Sequence, residues 1–185
     1  TGAPQLDDLL QGKVTPQKEL YKKLGLAGDK RLLFLVVQHS VTEEFDQAGV
    51  QVVQTLDAVK HFNTQVVIVQ NNSDAGSTLV AHAIQEHKEP HMKVFPNLPR
   101  EDYAGLMAAA DVLIGNSSSG ILEAPSFKLP AINIGNRQKG RLQGINVINA
   151  PHDVGAIVRA IRKALSSQFR ASLKKCSNPY GDGKS

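Results

Sequence analysis

Asp111–Gly120, DVLIGNSSSG, decides how the rest of the chain is read. A short apolar run, Val112 to Ile114, ends on Gly115. A polar, hydroxyl-rich turn follows to Gly120, and ILEAPSF then reads as the opening of a helix. Strand, tight loop and helix start is the arrangement by which α/β proteins aim backbone N–H groups at an anion. Glycines allow close backbone approach, and serines add hydroxyl donors with little bulk. Glu123 comes a few residues later. A carboxylate there would oppose a phosphate, so it suits neutral hydroxyls such as a ribose diol. The stretch therefore points to a nucleoside diphosphate. Asn, Ser and Gly are also ordinary cap and turn residues, so spacing alone leaves a ligand loop and a plain capped turn both open.

The same alternation repeats along the chain on both sides of this loop. Upstream, RLLFLVVQ (Arg31–Gln38), QVVIVQ (Gln65–Gln70) and MKVFP (Met92–Pro96) are apolar runs of strand length. Downstream come LPAINIG (Leu129–Gly135) and INVINA (Ile145–Ala150). Helical stretches lie between them. Thr15 is expected to cap a short helix with Pro16 as its first residue and Gly25 past its end. Val50, Val53, Leu56 and Val59 recur on one helical face. Further helices are expected over Ser77–Glu86, over the Ala-rich segment after Pro99, and over His152–Ser167, with Asp153 near the last start. Pro125 breaks or shortens the helix after the central loop.

This pattern, with no hairpin signal, predicts a single α/β domain: a Rossmann-like, doubly wound parallel sheet of about six strands. Residues 1–28 read as linker and lead-in helix, 29–170 as the domain, and 171–185 as a polar tail. Ligands of such sheets bind at the carboxyl ends of the strands. His39, Asn71 to Asp74, Leu98, Gly115 to Gly120 and Asn136 to Arg141 all fall at such ends and should share one rim. There is no GxGxxG and no Walker loop, which argues against a dinucleotide or a P-loop nucleotide.

Composition narrows the classes further. The chain has 185 residues, 41% hydrophobic and 21% charged, which suits one globular core built from aliphatic side chains, since Trp is absent. A net charge of +4, without an aromatic-interleaved basic patch, does not support nucleic acid as a partner. No run is long and apolar enough to span a bilayer, so no membrane partner is expected. One cysteine, Cys176, precludes an intrachain disulfide and fits a reducing, cytoplasmic setting. The six histidines show no metal-ligand spacing with carboxylates, and neither a metal nor another cofactor is expected.

Several stretches together resemble the C-terminal half of UDP-N-acetylglucosamine 2-epimerases of the hydrolysing type. IGNSSSGILEAPSFKLPAINIGNRQKGR (Ile114–Arg141) looks like the family's signature loop, ribose-binding glutamate and arginine loop. QHSVTEE (Gln38–Glu44), NNSDAGS (Asn71–Ser77), NLPREDY (Asn97–Tyr103) and NPYGDGK (Asn178–Lys184) are similar to the hydrolysing pattern. The chain lacks the His-Arg-Arg-Glu-Asn type segment of the non-hydrolysing branch.

The resemblance implies one half of a GT-B fold, two Rossmann-like halves facing a cleft, and the reaction UDP-GlcNAc plus water to ManNAc plus UDP, a step of amino sugar and sialic acid metabolism. By resemblance Ser117 and Ser118 donate to phosphate, Glu123 takes the ribose hydroxyls, and Arg137 reaches the nucleotide, ahead of Lys139 and Arg141. His39 would serve the departing phosphate as the catalytic group, Asn72 would line the nucleotide pocket, and Leu98 would sit beside the uracil. The family has Pro where Ser40 stands here. The carboxylates that handle the C2 proton lie mainly on the first half. The expectation is therefore a UDP-binding domain, inactive without that half, whose partners are UDP or a UDP-N-acetyl sugar and the N-terminal half of the same enzyme. An exposed apolar face would favour self-association into a homo-oligomer. The donor half of a GT-B glycosyltransferase and a non-catalytic nucleotide-sensing module are the alternative readings.

Overall fold

Burial along β1 (Leu32–Val37) alternates between two cores. Leu33, Leu35 and Val37 join one, and Phe34 and Val36 join the other. Successive strand side chains point to opposite faces, so an unbroken apolar run is what a strand covered on both sides requires. The computed structural model describes residues 12–70 and 76–181. The other strands are β2 (Thr64–Val69), β3 (Met92–Phe95), β4 (Val112–Gly115), β5 (Ala131–Ile134) and β6 (Val147–Ala150). They form one sheet in the order β3-β2-β1-β4-β5-β6, with every pairing parallel. The chain moves outward from β1 in one direction, returns, and moves outward from β4 in the other. The switch point therefore lies between the ends of β1 and β4, where Val37 is in register with Gly115.

One face carries α2 (Ala48–Val59), α3 (Ser77–His87) and α6 (Val154–Leu165), packed through Val52, Leu56, Ile84 and Ile161. The other carries α1 (Gln17–Leu24), α4 (Arg100–Ala109) and the one-turn α5 (Ser119–Leu122), packed through Leu20, Leu24, Leu106 and Met107. Leu35 is fully buried in the central strand, and its truncation to Ala would cost about 2–5 kcal/mol. α6 starts as its sequence dictates, with the Asp153 carboxylate accepting from the Ala156 N–H at 2.7 Å. A further helix, α7 (Ser167–Ser172), follows it.

The structure departs from the sequence reading in two places. Thr15 does not cap α1. Its hydroxyl donates to Asp102 Oδ1 at 2.7 Å, and Lys23 Nζ lies 2.5 Å from the other oxygen, so this cluster ties α1 to α4. The buried face of α2 is Ala48, Gln51, Val52, Thr55, Leu56, Ala58 and Val59, while Val50 is 64% exposed. Two polar side chains disguise that face in the sequence. They are buried because they are satisfied: Gln51 Nε2 donates to Glu44 at 2.7 Å, and the Thr55 hydroxyl donates to Gln38 Oε1 at 2.6 Å. The helix after the central loop is short, as Pro125 predicts. It is a single turn that gives way at Glu123 to a 3₁₀ turn, Ala124–Phe127, with Pro125 inside it.

Candidate functional site

Gly115 turns the end of β4 in a way only glycine permits. Its φ is +139°, and a Cβ there would run into the Val37 carbonyl. The close approach brings Asn116, which is fully buried, against the end of β1. Its side chain reads the His39 backbone in both directions. The His39 N–H donates to Asn116 Oδ1 at 2.7 Å, and Asn116 Nδ2 donates to the His39 carbonyl at 2.8 Å. The Asn116 carbonyl accepts from Gln138 Nε2 at 2.9 Å and from the Arg137 guanidinium at 3.4 Å. One residue at the switch point thus links the loops after β1, β4 and β5, and His39 and Arg137 converge on it.

Ser117 and Ser118 follow directly. Ser117 is buried and its hydroxyl accepts from the Ser119 N–H at 3.3 Å. Among the described residues, the N–H groups of Ser117 and Ser118 have no intrachain acceptor. Because α5 is one turn long, its macrodipole is small, and an anion here would be held by the local donors rather than by a helix field.

Glu123 sits at the junction of α5 and the 3₁₀ turn. Burial pushes its carboxyl above the usual carboxylate range, opposed by a Ser119 hydrogen bond and by the charge of Arg100. Tyr103 is beside the same Ser119, and burial holds its phenol far above the ordinary value. Leu98, Tyr103 and Phe95 are partly buried and each packs against the core on this face. Asn72 lies outside the described residues.

On the other face of the rim a cavity of about 810 Å³ opens between α2 and the ends of β5 and β6, lined by Glu44, Gln51, Asn136, Asn149 and His152 among others. His152 is beside Gly135, whose φ of +73° and contact with the imidazole exclude a side chain. Burial pulls the His152 pKa below its usual value, against the opposing charge of Glu44. Among the described residues no group of three His, Cys, Asp or Glu side chains could hold a metal ion, and no helix is long and apolar enough to cross a membrane.

Sequence reasoning passed over Asn116, Gln138, Ser119 and Tyr103. The first two lie within GNSSSG and NRQKGR, and a polar residue expected to be buried beside a glycine-gated strand end is the signal that could have identified them.

Comparison with known proteins gives this arrangement a family. The profile of the UDP-N-acetylglucosamine 2-epimerases matches residues 1–185. The chain is 36% identical over 184 residues, 99% of its length and 48% of the relative's, to the UDP-N,N′-diacetylbacillosamine 2-epimerase (hydrolyzing) of Legionella pneumophila. It is 37% identical over 160 residues, 83% of its length and 40% of the relative's, to the GDP/UDP-N,N′-diacetylbacillosamine 2-epimerase (hydrolyzing) of Campylobacter jejuni. Its fold superposes with a TM-score of 0.75 at 16% identity on the S. aureus MnaA–UDP co-structure, covering 99% of this chain and 49% of that one. The chain spans about half the length, or less, of the curated relatives it matches. The glycine-gated switch-point loop, the parallel sheet beneath it and the full-length profile match agree: the chain belongs to the UDP-N-acetylglucosamine 2-epimerase family.

Proposed function

We propose that this chain is the UDP-binding C-terminal domain of a hydrolysing UDP-N-acetyl amino sugar 2-epimerase. The observation that carries the reading is the convergence of His39, Ser117, Ser118 and Arg137 around the buried Asn116, in a chain of this family. The N–H and hydroxyl groups of Ser117 and Ser118 bind the diphosphate, and Arg137 adds a fixed positive charge. Glu123 accepts from the ribose diol, and Leu98 flanks the uracil. In the reaction, the C2 proton of the sugar leaves and the C1–O bond to UDP breaks, giving a glycal. Water then adds to the glycal, and ManNAc is released from UDP-GlcNAc. Negative charge grows on the β-phosphate as the bond breaks. Donors already aimed at that oxygen lower the barrier without reorganising. His39, held by its backbone at the switch point, supplies a proton or hydrogen bond to the same phosphate.

The groups that take the C2 proton belong to an N-terminal half, so the domain alone is inactive. UDP-N,N′-diacetylbacillosamine is a second substrate reading, favoured by the names of two relatives at 36% and 37% identity. The test joins this chain in frame to the N-terminal half of the Legionella relative and supplies each UDP-sugar with no acceptor. Release of UDP with the free 2-epimeric sugar is the expected result. Turnover that requires an added acceptor would instead mark a glycosyltransferase.

A further inference from the structure

The stretch Asn178–Gly181 folds back across two of the segments assigned above to the nucleotide. Asn178 Nδ2 donates to the Leu122 carbonyl at 2.8 Å and to the Ser126 hydroxyl at 2.7 Å, while Asn178 Oδ1 accepts from the Tyr180 N–H at 2.9 Å. The amide is therefore locked in one orientation. Tyr180 in turn donates from its hydroxyl to the Leu142 carbonyl at 3.0 Å. Leu122 and Ser126 bracket Glu123, which belongs to neither helical turn: its φ of −110° and ψ of −45° mark the kink between them. The Ser126 N–H also donates to the Glu123 carbonyl at 3.1 Å. Leu142 lies in the segment 135–146, which crosses from β5 to β6 without a helix and carries Arg137 and Arg141. A segment with no ladder of its own takes its shape from such tethers.

We infer that Asn178 and Tyr180 are positioning residues of the nucleotide site. Asn178 sets the Glu123 carboxylate for the ribose, and Tyr180 sets the 135–146 segment for the diphosphate. Both act through Leu122, Ser126 and Leu142 rather than by touching the ligand. The inference rests on the nucleotide reading above.

The test compares UDP, 2′-deoxy-UDP and UMP by calorimetry on the wild type, Asn178→Asp and Tyr180→Phe, with thermal unfolding alongside. Asn178→Asp keeps the acceptor for Tyr180 and loses the donor. It is expected to cut the preference for UDP over 2′-deoxy-UDP by about fivefold while leaving 2′-deoxy-UDP binding unchanged. Tyr180→Phe is expected to cut the preference for UDP over UMP by about threefold and to spare the ribose preference. If Asn178→Asp fails to fold, Tyr180→Phe, which removes one hydroxyl, decides the matter. Equal weakening of all three ligands would make these residues merely stabilising and overturn the inference. A wild type that shows these preferences, with variants that keep them, would overturn the inference and leave the nucleotide reading standing. A wild type indifferent among the three ligands would overturn both.

Discussion

The side chain of Asn116 and the backbone of His39 form a reciprocal pair of hydrogen bonds, 2.7 and 2.8 Å long, across the point where the strand order reverses. A pair of this kind mimics a rung of sheet between two chain segments that have just stopped being strands. It fixes the exit direction of the β1 loop relative to the β4 loop, and both carry residues of the proposed site. Asn116→Ala would leave the His39 N–H and carbonyl without these partners. A loss of about 2–3 kcal/mol in denaturant unfolding is expected. Asn116→Asp keeps the acceptor but loses the donor, so it should recover only part of that loss.

Gly115 makes the pair possible. At φ +139°, with the Val37 carbonyl where a Cβ would be, Gly115→Ala must shift either β1 or β4. A cost of about 3 kcal/mol or more is expected in unfolding. UDP binding should be impaired even where the variant is folded, because the Ser117 N–H moves with the turn.

Glu123 gives the site a pH dependence whose sign follows from burial. Its folded-state pKa is raised, so between the ordinary glutamate value and the raised one the folded chain holds more protons than the unfolded chain. Stability attributable to this group is present at low pH and lost as pH rises through that window. Glu123→Gln should lack this slope and be the more stable protein at neutral pH, as pH-resolved urea unfolding would show. The charged carboxylate is the better acceptor for a diol, so UDP affinity of the wild type should rise over the same window. The ionisation of UDP itself is removed by subtracting the Glu123→Gln profile.

His152 has the opposite sign. Burial lowers its pKa, so the unfolded chain binds a proton that the folded chain refuses. Its contribution is intact above the ordinary histidine range and is lost as pH falls from there through the lowered value. His152→Asn should flatten the acid limb of the stability profile in that range.

The parallel sheet was legible because strands covered on both faces must be apolar throughout, and Leu32–Val37 and Val66–Val69 satisfy that without exception. The central loop was legible as a strand end because Gly115 and Gly120 punctuate it. The buried polar residues were not. Gln51 and Thr55 look like surface residues until Glu44 and Gln38 are seen to satisfy them, and this moved the buried face of α2 away from Val50. Asn116 looks like a helix cap until the Gly115 turn carries it to His39. Such pairings depend on residues 77 apart in sequence, and no local pattern encodes them. Thr15 shows the same limit, since its local capping role gives way to Asp102 on another helix.

On this reading the loop after β4 binds a uridine diphosphate with Glu123 on the ribose. The most direct measurement is a calorimetric titration of this chain and of Glu123→Ala with UDP, using CMP as the control ligand. Saturable UDP binding, weakened about tenfold or more in Glu123→Ala and absent for CMP, is the predicted result. A folded chain that binds UDP no better than CMP, or equally well with and without the Glu123 carboxylate, would contradict it.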